Sequence, residues 1–151
     1  GARHWSGRVD GLGGLIRRRF TIASTGTVRR DRMQFAETIT FDNGEVQKRD
    51  WQIRDDFGDL LITGPDVEQT APARVPEART LELTYRIRLH GLWFHYRDLF
   101  RLKVDGTVVN DGRITLAGLP VMTISASSPP SGSEAVQAGR SLRTMARSTR
   151  K

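Results

Sequence analysis

Hydrophobic and polar residues alternate along most of this chain, in short segments separated by Gly, Pro, Asn and Asp. A period of two is typical of strands that are buried on one face. The segment from Leu81 to Leu89 is the clearest example, because its apolar side chains share one face while its polar side chains share the other. The pattern predicts nine antiparallel strands, over residues 3–9, 15–24, 32–41, 45–54, 59–64, 80–89, 92–104, 107–116 and 119–126.

Eight or nine short strands that follow one another directly predict an all-β, up-and-down meander. We expect the meander to close into a barrel, because closure removes exposed strand edges. A β-sandwich is the main alternative. Irregular connections are expected at Gly64-Pro65 and in the segment QTAPARVPEA, residues 69–78. The barrel domain is predicted to span residues 1–127.

One hairpin, around the turn Asp42-Asn43-Gly44, predicts its own register. A two-residue loop would place the apolar residues of its two strands on opposite faces. A three-residue loop, a type I turn followed by a left-handed Gly44, brings them onto one face. The pairs on that face are then Met33 with Ile53, Phe35 with Trp51, Glu37 with Arg49 and Ile39 with Gln47.

Glu37 and Arg49 are therefore predicted to form an inward-facing pair among aromatic residues. Two interpretations remain open. The pair is either an interior salt bridge that fixes the register, or an anchor in which Glu37 orients Arg49 toward a ligand. In the second case, a small amphipathic molecule would place its apolar part against Phe35, Trp51 and Tyr85 and its anionic end near Arg49.

The net charge of +7 is concentrated at the C-terminus. From Pro129 onward there are five Arg or Lys residues and one acidic residue, so the rest of the chain is nearly balanced and no specific nucleic-acid partner is predicted. Residues 128–151 are predicted to be a Pro/Ser linker and a basic tail. Ser131 and Glu134 form a capping box that could begin a short basic amphipathic helix, with an anionic membrane surface as its partner. A flexible solubilising tail is the alternative.

Familiar catalytic and metal-binding motifs are missing from the sequence. There is no Cys, His4, His90 and His95 show no HExxH spacing, and no serine lies in a Gly-x-Ser-x-Gly motif. His95, beside Tyr96, is expected to be a hydrogen-bonded strand residue, with an interior metal or haem role as the alternative. The acidic segment DDFGD, residues 55–59, lacks the spacing of a calcium loop. We predict no catalytic residue, metal or cofactor; an enzyme would require Glu37, His95 or Asp98 to converge.

Four blocks of the sequence, in this order, resemble the domain-of-unknown-function family 3833. They are SGRVDGLGGLIRRRFTI, ETITFDNGEVQKRDWQIR, GPDV and YRDLFRLKVDGTVVNDGRITLAGLPV, and the resemblance covers roughly Trp5 to Ser125. The resemblance implies a bacterial envelope lipoprotein without an assigned activity, and a lipocalin-like, calycin barrel architecture. The chain departs from the family in lacking the lipid-acceptor cysteine and in having Arg97-Asp98-Leu99 where the family has paired aspartates followed by Trp.

The sequence thus predicts a non-enzymatic, lipocalin-like β-barrel of the cell envelope or periplasm that binds a small hydrophobic or amphipathic ligand. Trp5, Trp93, Phe94 and Tyr96 could line its pocket or fill its core. The alternative is a structural or protein-interaction module with a solid core. No signal peptide is visible in the sequence, so a cytoplasmic location remains open, and the oligomeric state is not predicted.

Overall fold

The structure, a computed structural model, describes residues 1–56, 59–65, 67, 71–89 and 91–130. It contains ten strands and one short 3-10 turn, η1, over Leu12–Gly14. The strands are β1 Ala2–Gly11, β2 Ile16–Val28, β3 Arg32–Phe41, β4 Val46–Asp56, β5 Asp59–Thr63, β6 Ala71–Arg74, β7 Thr80–Leu89, β8 Leu92–Leu102, β9 Val108–Leu116 and β10 Leu119–Ser128.

The ten strands form one closed antiparallel barrel. Each strand pairs with its neighbours in sequence, and β1 pairs with both β2 and β10. Closure leaves no free edge, so the predicted up-and-down barrel is confirmed and the β-sandwich alternative is wrong. The strand count is ten rather than eight or nine.

The additional strand, β6, lies in the segment that was expected to be irregular. Pro72 pairs with Leu61 on β5, while Ala73 pairs with Leu60 on one side and with Leu83 on the other. Proline has no backbone N–H to donate, and the strand has only four residues, so neither composition nor periodicity indicates it. β6 nevertheless closes the gap between β5 and β7.

The hairpin between β3 and β4 has the predicted register. Phe35 pairs with Trp51 and Glu37 pairs with Arg49. Gly44 has a φ of 86° and donates a 3.0 Å hydrogen bond to the carbonyl oxygen of Phe41, which closes the three-residue loop. The four predicted inward-facing pairs are therefore confirmed.

Because all neighbours are antiparallel, alternate connections lie at opposite ends of the barrel. At the terminal end lie Gly1, the β2–β3 and β8–β9 connections, and the end of β10. At the distal end lie η1 and the β3–β4, β7–β8 and β9–β10 connections. The core inside the wall has a larger cluster around Ile53, Ile62 and Leu83 and a smaller one around Phe20 and Ile39.

Several predicted features fall outside the described residues. The helix expected from Ser131 and the basic tail lie there, as do two positions of the acidic segment, Phe57 and Gly58. The Gly-rich segment at residues 11–14 includes η1, in which Gly13 and Gly14 have positive φ angles. Among the described residues, none forms a helix that is long and apolar enough to cross a membrane.

Candidate functional site

The barrel encloses a cavity of about 690 Å³. This volume falls within the range of about 300 to 1,000 Å³ that is typical of small-molecule sites. The lining is mainly aliphatic and aromatic, and it includes Gly1, Val28 and Val108, so the cavity reaches the terminal end of the barrel. Its polar lining residues are Arg3, Ser24, Thr27, Glu37, Arg49, Tyr85, Tyr96, Asp98 and Asn110.

All five residues that were predicted to form the ligand site line this cavity. They are Phe35, Glu37, Arg49, Trp51 and Tyr85. The first four meet because the β3–β4 register pairs them on the inner face, and Tyr85 joins them from β7. The Trp51 and Tyr85 rings make an edge-on contact, with centroids 5.4 Å apart. Whether these residues bind a ligand stays a prediction.

The Glu37 carboxyl group interacts with the indole of Trp51 as well as with the positive charge of Arg49. The indole Nε1 of Trp51 donates a 3.0 Å hydrogen bond to Glu37 Oε2, and Arg49 Nη2 donates a 3.4 Å bond to Gln47 Oε1. Burial raises the pKa of Glu37, while the Trp51 hydrogen bond and the positive charge of Arg49 oppose that rise. The carboxyl group is therefore kept in place by a rigid donor, and Arg49 acts on it electrostatically.

A second polar group, centred on Asp98, lies on the opposite side of the barrel, on β7, β8 and β9. Tyr85 Oη donates a 3.1 Å hydrogen bond to Asp98 Oδ2, and Asn110 Nδ2 donates a 2.7 Å bond to Asp98 Oδ1. The Tyr96 hydroxyl also hydrogen-bonds to Asp98. Burial raises the pKa of Asp98 to about 7, in spite of the three donors that lower it. Asp98 thus exchanges a proton near neutral pH inside the barrel.

Asp98 was not predicted to belong to the ligand site. Alternation along β8 places Phe94, Tyr96, Asp98 and Phe100 on one face, which was a usable signal. Tyr85 and Asn110, which donate hydrogen bonds to Asp98, come from the neighbouring strands β7 and β9. Asn110 was missed because a single Asn in a strand carries no signal of its own.

Room for the Asp98 group is provided by Gly112, which pairs with Asp98 across β8 and β9. A Cβ atom on Gly112 would lie 2.8 Å from the Tyr96 hydroxyl oxygen and 3.2 Å from Asp98 Oδ1. Real Cβ atoms do not approach an oxygen so closely. Glycine at this position therefore lets Tyr96 stack on Tyr85, with ring centroids 5.0 Å apart, and reach Asp98.

Near the terminal end, a third polar group was also missed by the sequence analysis. Trp5 Nε1 donates a 3.1 Å hydrogen bond to Ser24 Oγ, and that hydroxyl donates to the backbone oxygen of Arg3. Arg3 Nη1 donates to Ser128 Oγ at 3.5 Å. The cavity therefore has a guanidinium near its opening, in addition to Arg49 deeper in the barrel.

The interior roles suggested for His95 and Trp93 on β8 are wrong, whereas Phe94 fits the alternative that it fills the core. His95 is exposed on the outer face, because it alternates with the inward-facing Tyr96, so an interior metal or haem role for it is wrong. Trp93 also lies on the outer face, where it contacts Arg86 and Arg88. Phe94 packs against the larger core cluster without lining the cavity.

Glu37 and Asp98 share the cavity, but His95 does not join them. In the described part of the chain, no group of three or more His, Asp or Glu side chains could hold a metal ion. The polar chemistry that the cavity offers is therefore hydrogen bonding, the positive charge of two arginines and a proton-exchanging carboxyl group.

The comparisons with known proteins agree with this architecture. The profile of a family described as "Protein of unknown function (DUF3833)" matches residues 1–127. Among solved structures, the chain is similar to the S-type phycobiliprotein lyase CPES from Guillardia theta, with a TM-score of 0.63 and 10% sequence identity over 88% of each chain. At that identity, the likeness shows the fold alone. No curated protein matches this chain.

Proposed function

The chain belongs to the DUF3833 family of proteins of unknown function, and we propose that it binds a small hydrophobic or amphipathic molecule inside its barrel without catalysing a reaction. The observation that carries the proposal is the 690 Å³ cavity, which is largely apolar and contains a half-buried arginine. The apolar part of the ligand packs against Phe35, Trp51 and Tyr85, and its anionic end lies near Arg49.

The electrostatics of the cavity favour an anionic group at Arg49. The positive charge of Arg49 opposes the rise in the pKa of Glu37, Tyr85 and Tyr96. Arg49 therefore acts on groups of three other strands, β3, β7 and β8. The pKa values of both cavity carboxyl groups, Glu37 and Asp98, are raised. At a given pH, Glu37 and Asp98 are therefore ionised to a smaller extent than free carboxyl groups. They repel an anionic group near Arg49 less strongly as a result.

The second candidate function is a structural or interaction module with a solid core. A barrel whose interior is filled by side chains would have no cavity of this size, so the observed volume favours binding over that alternative. The structural neighbour is named as a lyase, so a barrel of this shape does carry an activity elsewhere. We favour binding here because Asp98 is engaged by three hydrogen-bond donors and His95 faces outward.

The proposal extends to the location of the protein. The family resemblance is to bacterial envelope lipoproteins, so we propose the cell envelope as the site of action. Fractionation of cells that produce the protein from its full gene tests this. Recovery in the cytoplasmic fraction would overturn the location without affecting the binding proposal.

Two fluorescent probes that share an aromatic body test the ligand class. Anilinonaphthalene sulfonate carries an anionic group, and N-phenylnaphthylamine lacks it. We expect the wild-type protein to bind both probes. Arg49→Met should weaken binding of the sulfonate by about tenfold to a hundredfold, since a hydrogen bond to a charged group contributes about 1.5–3 kcal/mol. Binding of the neutral probe should be unchanged.

Arg54→Met is the matched control, because Arg54 lies on the same strand with its side chain exposed on the outer face. It should bind both probes like the wild type. If neither probe binds the wild-type protein, the binding proposal fails and the solid-core alternative is favoured. If Arg49→Met binds both probes normally, only the role of Arg49 is wrong.

A further inference from the structure

Four large apolar side chains project from neighbouring turns at the distal end of the barrel. Leu12 and Leu15, between β1 and β2, are 55% and 87% exposed; Leu92, at the start of β8, is 55% exposed and Leu119, at the start of β10, is 70% exposed. The strand order β2-β1-β10-β9-β8-β7 makes these three turns adjacent around the barrel. These four leucines, on three neighbouring turns, are called the leucine rim.

Packing within the folded barrel does not explain why leucines occupy the positions of the leucine rim. An exposed leucine gains little from packing, and Leu12 has a φ of 47°, in the left-handed region that favours Gly or Asn. The turn at Ala117-Gly118, which presents Leu119, also has positive φ angles at both residues. Leu12 therefore costs backbone energy, and the exposure of four leucines on neighbouring turns indicates that something covers them.

Arginines lie on the outer face of the barrel behind the leucine rim, on β1, β2, β7 and β9. Asp10 on β1 pairs with Arg8 at 3.0 Å and with Arg17 at 2.9 Å. On β7, the guanidinium groups of Arg86 and Arg88 lie over the ring of Trp93, 5.2 and 5.8 Å from its centroid. The distal belt is defined as Arg8, Arg17, Arg86, Arg88, Arg113 and Trp93.

The belt carries a net positive charge. Asp10 is one of three outward-facing acidic residues that the structure describes on β1, β2, β7, β8 and β9, and Asp42 and Glu45 of the neighbouring β3–β4 turn contact Arg19 and Arg18 of β2. The two other outward-facing acidic residues of these strands, Glu82 and Asp111, lie toward the terminal end, where they pair with Arg97 and Arg101. The basic belt with its aromatic ring, behind an apolar rim, is complementary to an anionic lipid surface: the rim suits the acyl chains and the arginines suit the phosphates.

We propose that the distal end of the barrel docks on a membrane surface that contains anionic lipids. The leucine rim enters the boundary between headgroups and acyl chains, and Trp93 lies at the level of the headgroups. The arginines of the distal belt contact lipid phosphates. Because the cavity reaches the terminal end, its opening then faces away from the membrane.

Vesicle flotation of the full chain tests this proposal. Vesicles of phosphatidylcholine alone are compared with vesicles that also contain phosphatidylglycerol. We expect the wild-type protein to float with the anionic vesicles. The double substitution Leu15→Ser with Leu119→Ser should weaken partitioning at least about tenfold, since two exposed apolar side chains no longer enter the lipid. Arg88→Ser with Arg113→Ser should weaken it about fivefold per arginine, and more at low salt.

The matched control is Val104→Ser with Arg29→Ser. Val104 is 91% exposed in the β8–β9 turn, and both residues lie at the terminal end, so this pair removes the same kinds of side chain from the opposite surface. Its binding should equal that of the wild type. Circular dichroism of each variant establishes that it is folded, which is expected because every substituted side chain is exposed or lies on the outer face.

A second measurement locates the contact. Lipids with brominated acyl chains should quench the fluorescence of Trp93, and the quenching should disappear in Trp93→Phe. If the leucine variant floats like the wild type, or if quenching does not depend on Trp93, the docking surface is wrong and the basic tail is the contact. If the wild type ignores anionic vesicles and instead forms a dimer that the leucine variant loses, a second copy covers the rim and the proposal is overturned.

Discussion

Asp98 gives the barrel a pH-dependent stability that a single substitution should remove. Its pKa is raised from 3.8 to about 7, so between these values the folded state holds a proton that the unfolded state has released. The stability that this proton contributes is fully present below pH 3.8 and is lost as the pH rises through about 7. At about 1.4 kcal/mol per pKa unit, the contribution amounts to about 4 kcal/mol.

Asp98→Asn tests this reasoning, because asparagine has the shape of the neutral carboxyl group and does not titrate. The free energy of unfolding is measured by urea titration with circular dichroism, from pH 4 to pH 8. Relative to the wild type, the variant should gain about 4 kcal/mol across this range. The offset between the two proteins at any one pH is not the test, since the amide also changes the hydrogen bonds to Tyr85 and Asn110.

Comparing slopes removes the contributions of other groups. Hydrogen bonds and charges lower the pKa values of the exposed carboxyl groups of Asp31, Glu45 and Asp105, and these contributions are the same in both proteins. Asp111→Asn is the matched control, since the Asp111 side chain is 47% exposed on the outer face of the adjacent strand. It should keep the wild-type pH dependence. Parallel curves for the wild type and Asp98→Asn would refute the assignment of a buried proton to Asp98.

Two further substitutions test the packing and the hydrogen bonds of the cavity. Gly112→Ala should destabilise the protein by about 1–3 kcal/mol, because its Cβ would lie 2.8 Å from the Tyr96 hydroxyl. In a double-mutant cycle measured by urea unfolding, adding Tyr96→Phe should recover part of this loss. Strictly additive effects of the two substitutions would contradict the clash. Trp51→Phe removes the hydrogen-bond donor to Glu37, so the pKa of Glu37 should rise further. The variant should lose about 1.5–3 kcal/mol of stability, and the loss should be larger at pH 8 than at pH 4 because the hydrogen bond stabilises the ionised carboxylate. An NMR titration of the Glu37 carboxyl that shows no change would contradict this.

The barrel and one hairpin could be predicted from the sequence because they depend on local signals. Alternation identifies strands, and the Asp42-Asn43-Gly44 turn fixes the register that brings Glu37, Arg49 and Trp51 onto one face. β6 could not be predicted in the same way, because four residues that include Pro72 carry no alternating pattern. That strand forms because β5 and β7 on either side hold it in place.

The Asp98 group shows where the sequence stops being informative. Its hydrogen-bond partners come from three strands, β7, β8 and β9, and only closure of the sheet determines how deeply the carboxyl group is buried. The volume of the cavity likewise depends on how side chains pack across the barrel. The outward direction of His95 and Trp93, in contrast, follows from the alternation of β8, and the sequence analysis should have used it.

Cavity filling tests most directly the central claim that the barrel binds a small molecule in its interior. Val108 lines the cavity, whereas the next residue, Val109, does not line it, so Val108→Trp and Val109→Trp add the same volume on opposite faces of β9. In a fluorescence titration with N-phenylnaphthylamine, we expect the wild type and Val109→Trp to bind the probe equally and Val108→Trp to bind it at least about tenfold more weakly. Equal binding by all three proteins, or no binding by the wild type, would contradict the claim.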